Sequence, residues 1–133
     1  MKHYLCFVHS LQPLGEEDAA KLNALQDVTL EQLTPLRVLH RRTLMTREKV
    51  IHRMRMHLVS GHSGVLEVWA SAGTYIKEFV HGDLGRTVPS VGSLLCKQVD
   101  ILQLDVGSLK EGEWREGDEQ KMQVDRFPWL EEQ

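Results

Sequence analysis

Residues 50–70 constrain the fold more than any other stretch of the chain. From Val50 to Val59 the sequence alternates, with Ile51, Arg53, Arg55 and His57 on one side and His52, Met54, Met56 and Leu58 on the other. This is the period-2 pattern of a half-buried strand with one cationic face. Ser60-Gly61-His62-Ser63-Gly64 reads as a turn, and Val65 to Ala70 as the returning strand, with Leu66, Val68 and Ala70 opposite Val65, Glu67 and Trp69. The pair is a β-hairpin with a loop of about five residues, so antiparallel sheet is expected at the centre of the fold.

The flanking segments add to that sheet and place helices beside it. Residues 2–10 alternate Tyr4, Cys6 and Val8 with Leu5, Phe7 and His9, a strand pattern that Gln12-Pro13-Leu14-Gly15 interrupts. Glu16 to Leu25 opens with two carboxylates and spaces Ala19, Leu22 and Leu25 by threes, which predicts a short amphipathic helix. A second short piece at 28–33 ends at Thr34-Pro35. Leu36 to Leu44 reads as an extended basic strand. After the hairpin, Thr74 is the expected N-cap of a helix and Gly82 its stop. Val99 to Val106 reads as a further strand. Residues 1–109 are therefore expected to form one α+β unit, with a mixed, largely antiparallel sheet and flanking helices. Residues 110–133 form an acidic tail without sustained periodicity, read as poorly ordered.

Charge is strongly segregated beneath a formal net charge of only −3. The balances are −3 for residues 1–36, +6 for 37–97 and −6 for 98–133. Arg37, Arg41, Arg42, Arg47, Lys49, Arg53 and Arg55 face only Glu48 in sequence, a density that suits RNA or DNA and equally describes a solvated basic face. No segment has the apolar length of a membrane span or of a signal peptide, so an intracellular protein, cytoplasmic or nuclear, is the default expectation. Cys6 and Cys96 belong to no C-x-x-C pair and read as small buried apolar residues. His52 and His57 point to opposite faces of one expected strand, and His40, His62 and His81 belong to separate elements, so no metal site is expected. No phosphate-binding glycine loop is present.

One stretch is more specific than all of this. Ala72-Gly73-Thr74-Tyr75-Ile76-Lys77-Glu78-Phe79-Val80-His81-Gly82-Asp83-Leu84-Gly85-Arg86-Thr87 resembles the archaeal and eukaryotic tRNA pseudouridine synthases that modify uridines 54 and 55 of the T-loop. Thr34-Pro35-Leu36-Arg37-Val38-Leu39-His40-Arg41-Arg42 is a second block similar to that family. Val91-Gly92-Ser93-Leu94 followed by Asp100-Ile101-Leu102-Gln103-Leu104-Asp105-Val106 is a third. The resemblance runs from about Lys2 to Val106 and is to the C-terminal part of the catalytic domain.

What the resemblance implies can be carried over where a motif is present. Lys77 matches the basic residue that pairs with the catalytic aspartate. Tyr4, in Lys2-His3-Tyr4, matches the tyrosine that stacks on the target base, and Leu94 matches a leucine that packs below it, with Leu95 an almost equal candidate. Arg37, Arg41, Arg42, Arg53 and Arg55 would seat the tRNA backbone, and the family uses no cofactor. Without the motifs, Lys77 reads as an exposed residue of a helix's first turn and Tyr4 as a core aromatic.

The catalytic aspartate motif has no match in this sequence. Asp83 is the tempting substitute, but a turn-capping role or a pairing with Arg86 suits it better. Two expectations follow. The chain is a partial synthase, inactive alone, whose aspartate comes from an upstream segment or a second chain; or it is a non-catalytic RNA-binding or assembly protein derived from that fold.

Overall fold

A computed structural model describes residues 1–40 and 44–106. In chain order they form β1 (Lys2–Ser10), α1 (Glu16–Asn23), β2 (Gln26–Leu33), β3 (Thr46–Leu58), β4 (Ser63–Ala70), α2 (Ile76–His81), β5 (Thr87–Val88), α3 (Val91–Leu95) and β6 (Val99–Val106). The sheet order is β5-β2-β3-β4-β1-β6. The α+β class is as expected, and every strand pairing among the described residues is antiparallel, so the sheet shows no parallel component there. The predicted hairpin is the β3–β4 pair, connected by Val59 to His62, with Ser63 and Gly64 already in the returning strand.

All three α-helices pack on one face. Ala19 and Leu22 of α1, Ile76, Phe79 and Val80 of α2, and Val91 and Leu95 of α3 close over Tyr4, Cys6 and Val8, Met54 and Met56, and Leu66 and Val68. Burying side chains of this size contributes about 1.5–3 kcal/mol each, which holds helices too short to persist alone. On β4 the other face is closed as well: Val65, Glu67 and Trp69 are buried, as are their β1 neighbours Leu5 and Phe7.

Several expectations are corrected. Strand β3 does not keep the simple alternation, because Ile51 faces Ala70 while Arg53 faces the adjacent Trp69, leaving His52 as an extra residue. This bulge transfers Ile51 from the arginine side into the core with Met54 and Met56. The piece at 28–33 is part of strand β2. In place of the extended strand expected from Leu36 to Leu44, Leu36–Val38 is a 3-10 turn; residues 41–43 of that expectation fall outside the described residues. Pro35 supplies the required φ of −58°, and the Asp83 carboxylate accepts the Leu36 N–H at 3.0 Å, so the chain turns where an alternating reading extends it. Thr74 does not cap α2, since its hydroxyl donates back to the Ser71 carbonyl at 2.7 Å and the N-cap is Tyr75. Gly82 does end α2, at a φ of 89° that favours glycine. Cys6 is buried as expected, and burial pushes its thiol pKa well up, whereas Cys96 is exposed. The expectation for the tail, 110–133, falls outside the described residues.

Candidate active site and nucleic-acid surface

Lys77 sits in the first turn of α2, exposed as its position predicts. Its side chain lines a cleft of about 560 Å³ together with His81 and residues 100–104 of β6. Two neighbours fix the backbone just before it. The buried side chain of Gln32 donates to the Tyr75 carbonyl at 2.9 Å and accepts the Tyr75 N–H at 3.0 Å, a reciprocal pair that substitutes for a cap. Beside Lys77, the carboxylate of buried Glu78 receives Arg37 Nη2 at 2.9 Å and Nε at 3.1 Å. Glu78 holds the Arg37 guanidinium still more firmly in its charged form, against the opposing effect of burial. With Gln32 behind and Arg37 alongside, the start of this short helix is held by polar contacts rather than by its own length.

Asp83 is spent on structure: it caps Leu36 and lies 3.7 Å from Arg86 Nε, both in keeping with the turn-capping reading. Arg86 in turn donates to the Thr34 carbonyl at 2.8 Å. The blocks at 34–40 and 72–87, far apart in sequence, are thus one hydrogen-bonded unit.

Tyr4 is 6% exposed and belongs to the core cluster; burial raises its phenol pKa, with the neighbouring Cys6 adding to the effect. Leu94 is half-buried against the same cluster, while Leu95 lies deeper within it. Leu104 connects the residues the motifs single out: it packs on that cluster, lies opposite Cys6 two residues before the partner of Tyr4, and lines the cleft with Lys77.

Among the described residues, the candidate RNA-contacting arginines are not gathered into one patch. Arg37 is bound to Glu78 on the helical side. Arg53 and Arg55 lie on the other face, where the Arg53 guanidinium stands 4.2 Å from the centroid of the Trp69 ring. Arg41 and Arg42 fall outside the described residues. Among the described residues no group of His, Cys, Asp and Glu could hold a metal ion, and no helix is long and apolar enough to cross a membrane.

Sequence reasoning missed Gln32, Glu78 and Glu67. Glu67 is 1% exposed and accepts His57 Nε2 at 2.8 Å and His3 Nε2 at 3.0 Å. The hairpin alternation carried a signal for it, since His57 and Glu67 fall on the faces that pairing brings together. Nothing local marked Gln32 or Glu78, whose partners lie 43 and 41 residues away.

The sheet, its one-sided helices and the cleft at Lys77 define the pseudouridine-synthase fold. The chain superposes on Cbf5 in a Cbf5-Nop10-Gar1 complex with a TM-score of 0.60 at 21% identity, covering 84% of this chain and 32% of that one. An H/ACA RNP bound to a substrate RNA containing 2'-deoxyuridine gives a TM-score of 0.53 at 16% identity, covering 98% and 35%. Residues 1–110 match the family described as Pus10, C-terminal, and the chain belongs to that family. The tRNA pseudouridine synthase Pus10 of Xenopus laevis is 48% identical over 108 residues, which are 81% of this chain and 21% of that protein. The Homo sapiens protein is 47% identical, with 81% and 20% covered, and that of Pyrobaculum arsenaticum 40% identical, with 80% and 26% covered. The chain thus spans between a fifth and about a quarter of the length of these relatives.

Proposed function

We propose that this chain is the C-terminal part of the catalytic domain of a tRNA pseudouridine synthase, acting without a cofactor on T-loop uridines inside the cell, in the cytoplasm or nucleus. The observation that carries the reading is the placement of Lys77. A cation on a helix start fixed by Gln32 and Arg37, at the mouth of a cleft, is suited to hold a carboxylate ionised. The nucleophilic aspartate would come from a preceding segment of a longer protein or from a second chain.

The reaction frees uracil from its ribose and rejoins it through carbon 5, so the base must be taken out of its stack and retained. Tyr4 would supply the platform, at about 1–3 kcal/mol per stacked base. Leu94 would close the other side. Arg41, Arg42, Arg53 and Arg55 would meet the tRNA backbone, with Arg37 contributing the exposed part of a side chain whose head is held by Glu78.

The test is tritium release from tRNA carrying 5-tritiated uridine. The purified chain is expected to release none, and mixing it with a protein comprising the front of the catalytic domain to restore release. In the mixture, Lys77→Ala should cut the single-turnover rate far more than tRNA affinity, and Lys77→Arg should retain much of it. Equal losses of rate and affinity would make Lys77 an RNA contact. Failure to restore release would leave the non-catalytic RNA-binding reading, which a salt-dependent tRNA affinity lowered by neutralising Arg53 and Arg55 would support.

A further inference from the structure

Leu84 is the most exposed large apolar residue among those described, and its backbone is held where leucine is disfavoured, at φ 55° and ψ 38°. Its neighbours Gly82, Asp83 and Gly85 share the positive φ. Hydrogen bonds fix this loop from several sides. The Gly85 and Thr87 N–H groups both donate to the Gly82 carbonyl, at 3.0 and 3.1 Å, and the Arg86 N–H donates to the Asp83 carbonyl at 3.1 Å. The Asp83 N–H donates to His81 Nδ1 at 2.9 Å, while its carboxylate accepts the Leu36 N–H. An apolar side chain in a conformation that costs free energy, anchored before and after and turned to water, gains nothing from its own fold. A contact outside the chain offsets that cost.

The surroundings say what that contact is. The loop follows α2, whose first turn carries Lys77 and whose six residues span only about 9 Å. Around it the basic groups point outward and the carboxylates inward. Arg37, His81 and Arg86 keep 51, 33 and 21% of their side-chain surface exposed, whereas Glu78 and Asp83 keep 2 and 12%. An apolar protein surface would meet Leu84 and the half-exposed Leu36 but would strip water from the arginines without answering their charge. A phosphate backbone meets the arginines, and the step between two bases accepts a leucine. Taking a uridine out of its stack opens such a step beside the cleft.

We propose that Leu84 is an RNA wedge. Its side chain enters between bases next to the uridine received at the Lys77 cleft and keeps the stack open, while Arg37 and Arg86 hold the flanking phosphates. The inference rests on the reading of the chain as part of a tRNA pseudouridine synthase and adds a residue to which the motifs give no role.

The test is the fluorescence of a T-arm stem-loop RNA carrying 2-aminopurine beside the target uridine, titrated with the full chain and with its Leu84→Asn and Leu84→Met variants. Asparagine suits the left-handed backbone and removes the apolar wedge, whereas methionine keeps it. Circular dichroism should show all three folded. The unaltered chain should raise the fluorescence as the stack opens, and Leu84→Met should retain the rise. Leu84→Asn should reduce it by about fivefold or more, with the salt dependence of binding unchanged because no phosphate contact is lost. An equal rise with Leu84→Asn, an equal fall in both variants, or no rise with the unaltered chain overturns the proposal. So does a shift of the Leu84 methyl NMR signals on adding the front of the catalytic domain without RNA, which assigns the side chain to a protein interface. Tritium release from the mixture is read in parallel. Release that Leu84→Asn leaves unchanged sinks the wedge and keeps the synthase reading; a fluorescence loss in Leu84→Asn without any release from the mixture keeps the wedge and sinks that reading.

Discussion

The two faces of this sheet are built by different rules. The helix-covered face is almost wholly apolar, from Cys6 and Val8 to Phe79 and Val80, and its order comes mainly from packing, with Gln32 and the Arg37–Glu78 pair fixing the start of α2. The opposite face interleaves Leu5, Phe7 and Val65 with a buried carboxylate, two histidines, a tryptophan and two arginines. Packing tolerates only small changes in volume, whereas a polar network needs each partner in place. The first face is a scaffold that carries Lys77, and the second is a surface with its own chemistry.

Breaking the scaffold should have the largest effect. Phe79→Ala removes a fully buried ring between α2 and the sheet, and is expected to cost about 3–5 kcal/mol, read as a lower urea midpoint or failure to fold. Arg37→Met should cost about 2–3 kcal/mol by leaving the Glu78 carboxylate buried without its main partner, less than a fully interior pair because Arg37 is half exposed. A companion Glu78→Gln change should recover part of that loss. On the other face, Glu67→Gln keeps the shape but weakens the bonds to His3 and His57, at about 1–2 kcal/mol in the same titration. Smallest is the tie of Asp18 to Lys97 and to the Gly15 N–H, which fastens the start of α1. Burial works against the Asp18 carboxylate, but Lys97 and the Gly15 N–H prevail and lower its pKa. Its contribution is therefore present above the unfolded pKa and lost as pH falls through the folded one. Asp18→Asn should cost about 1 kcal/mol at pH 7 and nothing below both values, by thermal melts across pH.

Regular periodicity made the scaffold legible. Tyr4, Cys6 and Val8 alternate, Ala19 and Leu22 recur at helical spacing, and each lies where its pattern puts it. The pattern failed where one extra residue or one proline intervened: a bulge at His52 carries no compositional mark, and the stretch from Leu36 read as an extended basic strand although Pro35 and Asp83 turn the chain at Leu36–Val38. The motifs singled out Lys77, Tyr4 and Leu94; Lys77 and Leu104 line one cleft, and Tyr4, Leu94 and Leu104 belong to or pack on one core cluster. They said nothing of Gln32 or Glu78, because a polar residue inside an amphipathic pattern looks the same whether it meets water or a partner 40 or so residues away. The two-sided burial of β4 was likewise hidden, since a hairpin shows which residues share a side and not what covers that side.

The loop after α2 has a consequence for engineering. Gly82, Asp83, Leu84 and Gly85 all have positive φ, and Leu84, at 55° and 91% exposed, has neither the backbone freedom of glycine nor a packed side chain to compensate. Holding a leucine there costs about 1–2 kcal/mol. Leu84→Gly or Leu84→Asn should return about 1 kcal/mol, seen as a higher melting temperature. That reserve lies outside both faces of the sheet, so a thermally hardened version of this protein can be made at one exposed position while Lys77, its cleft and the arginine face stay as they are.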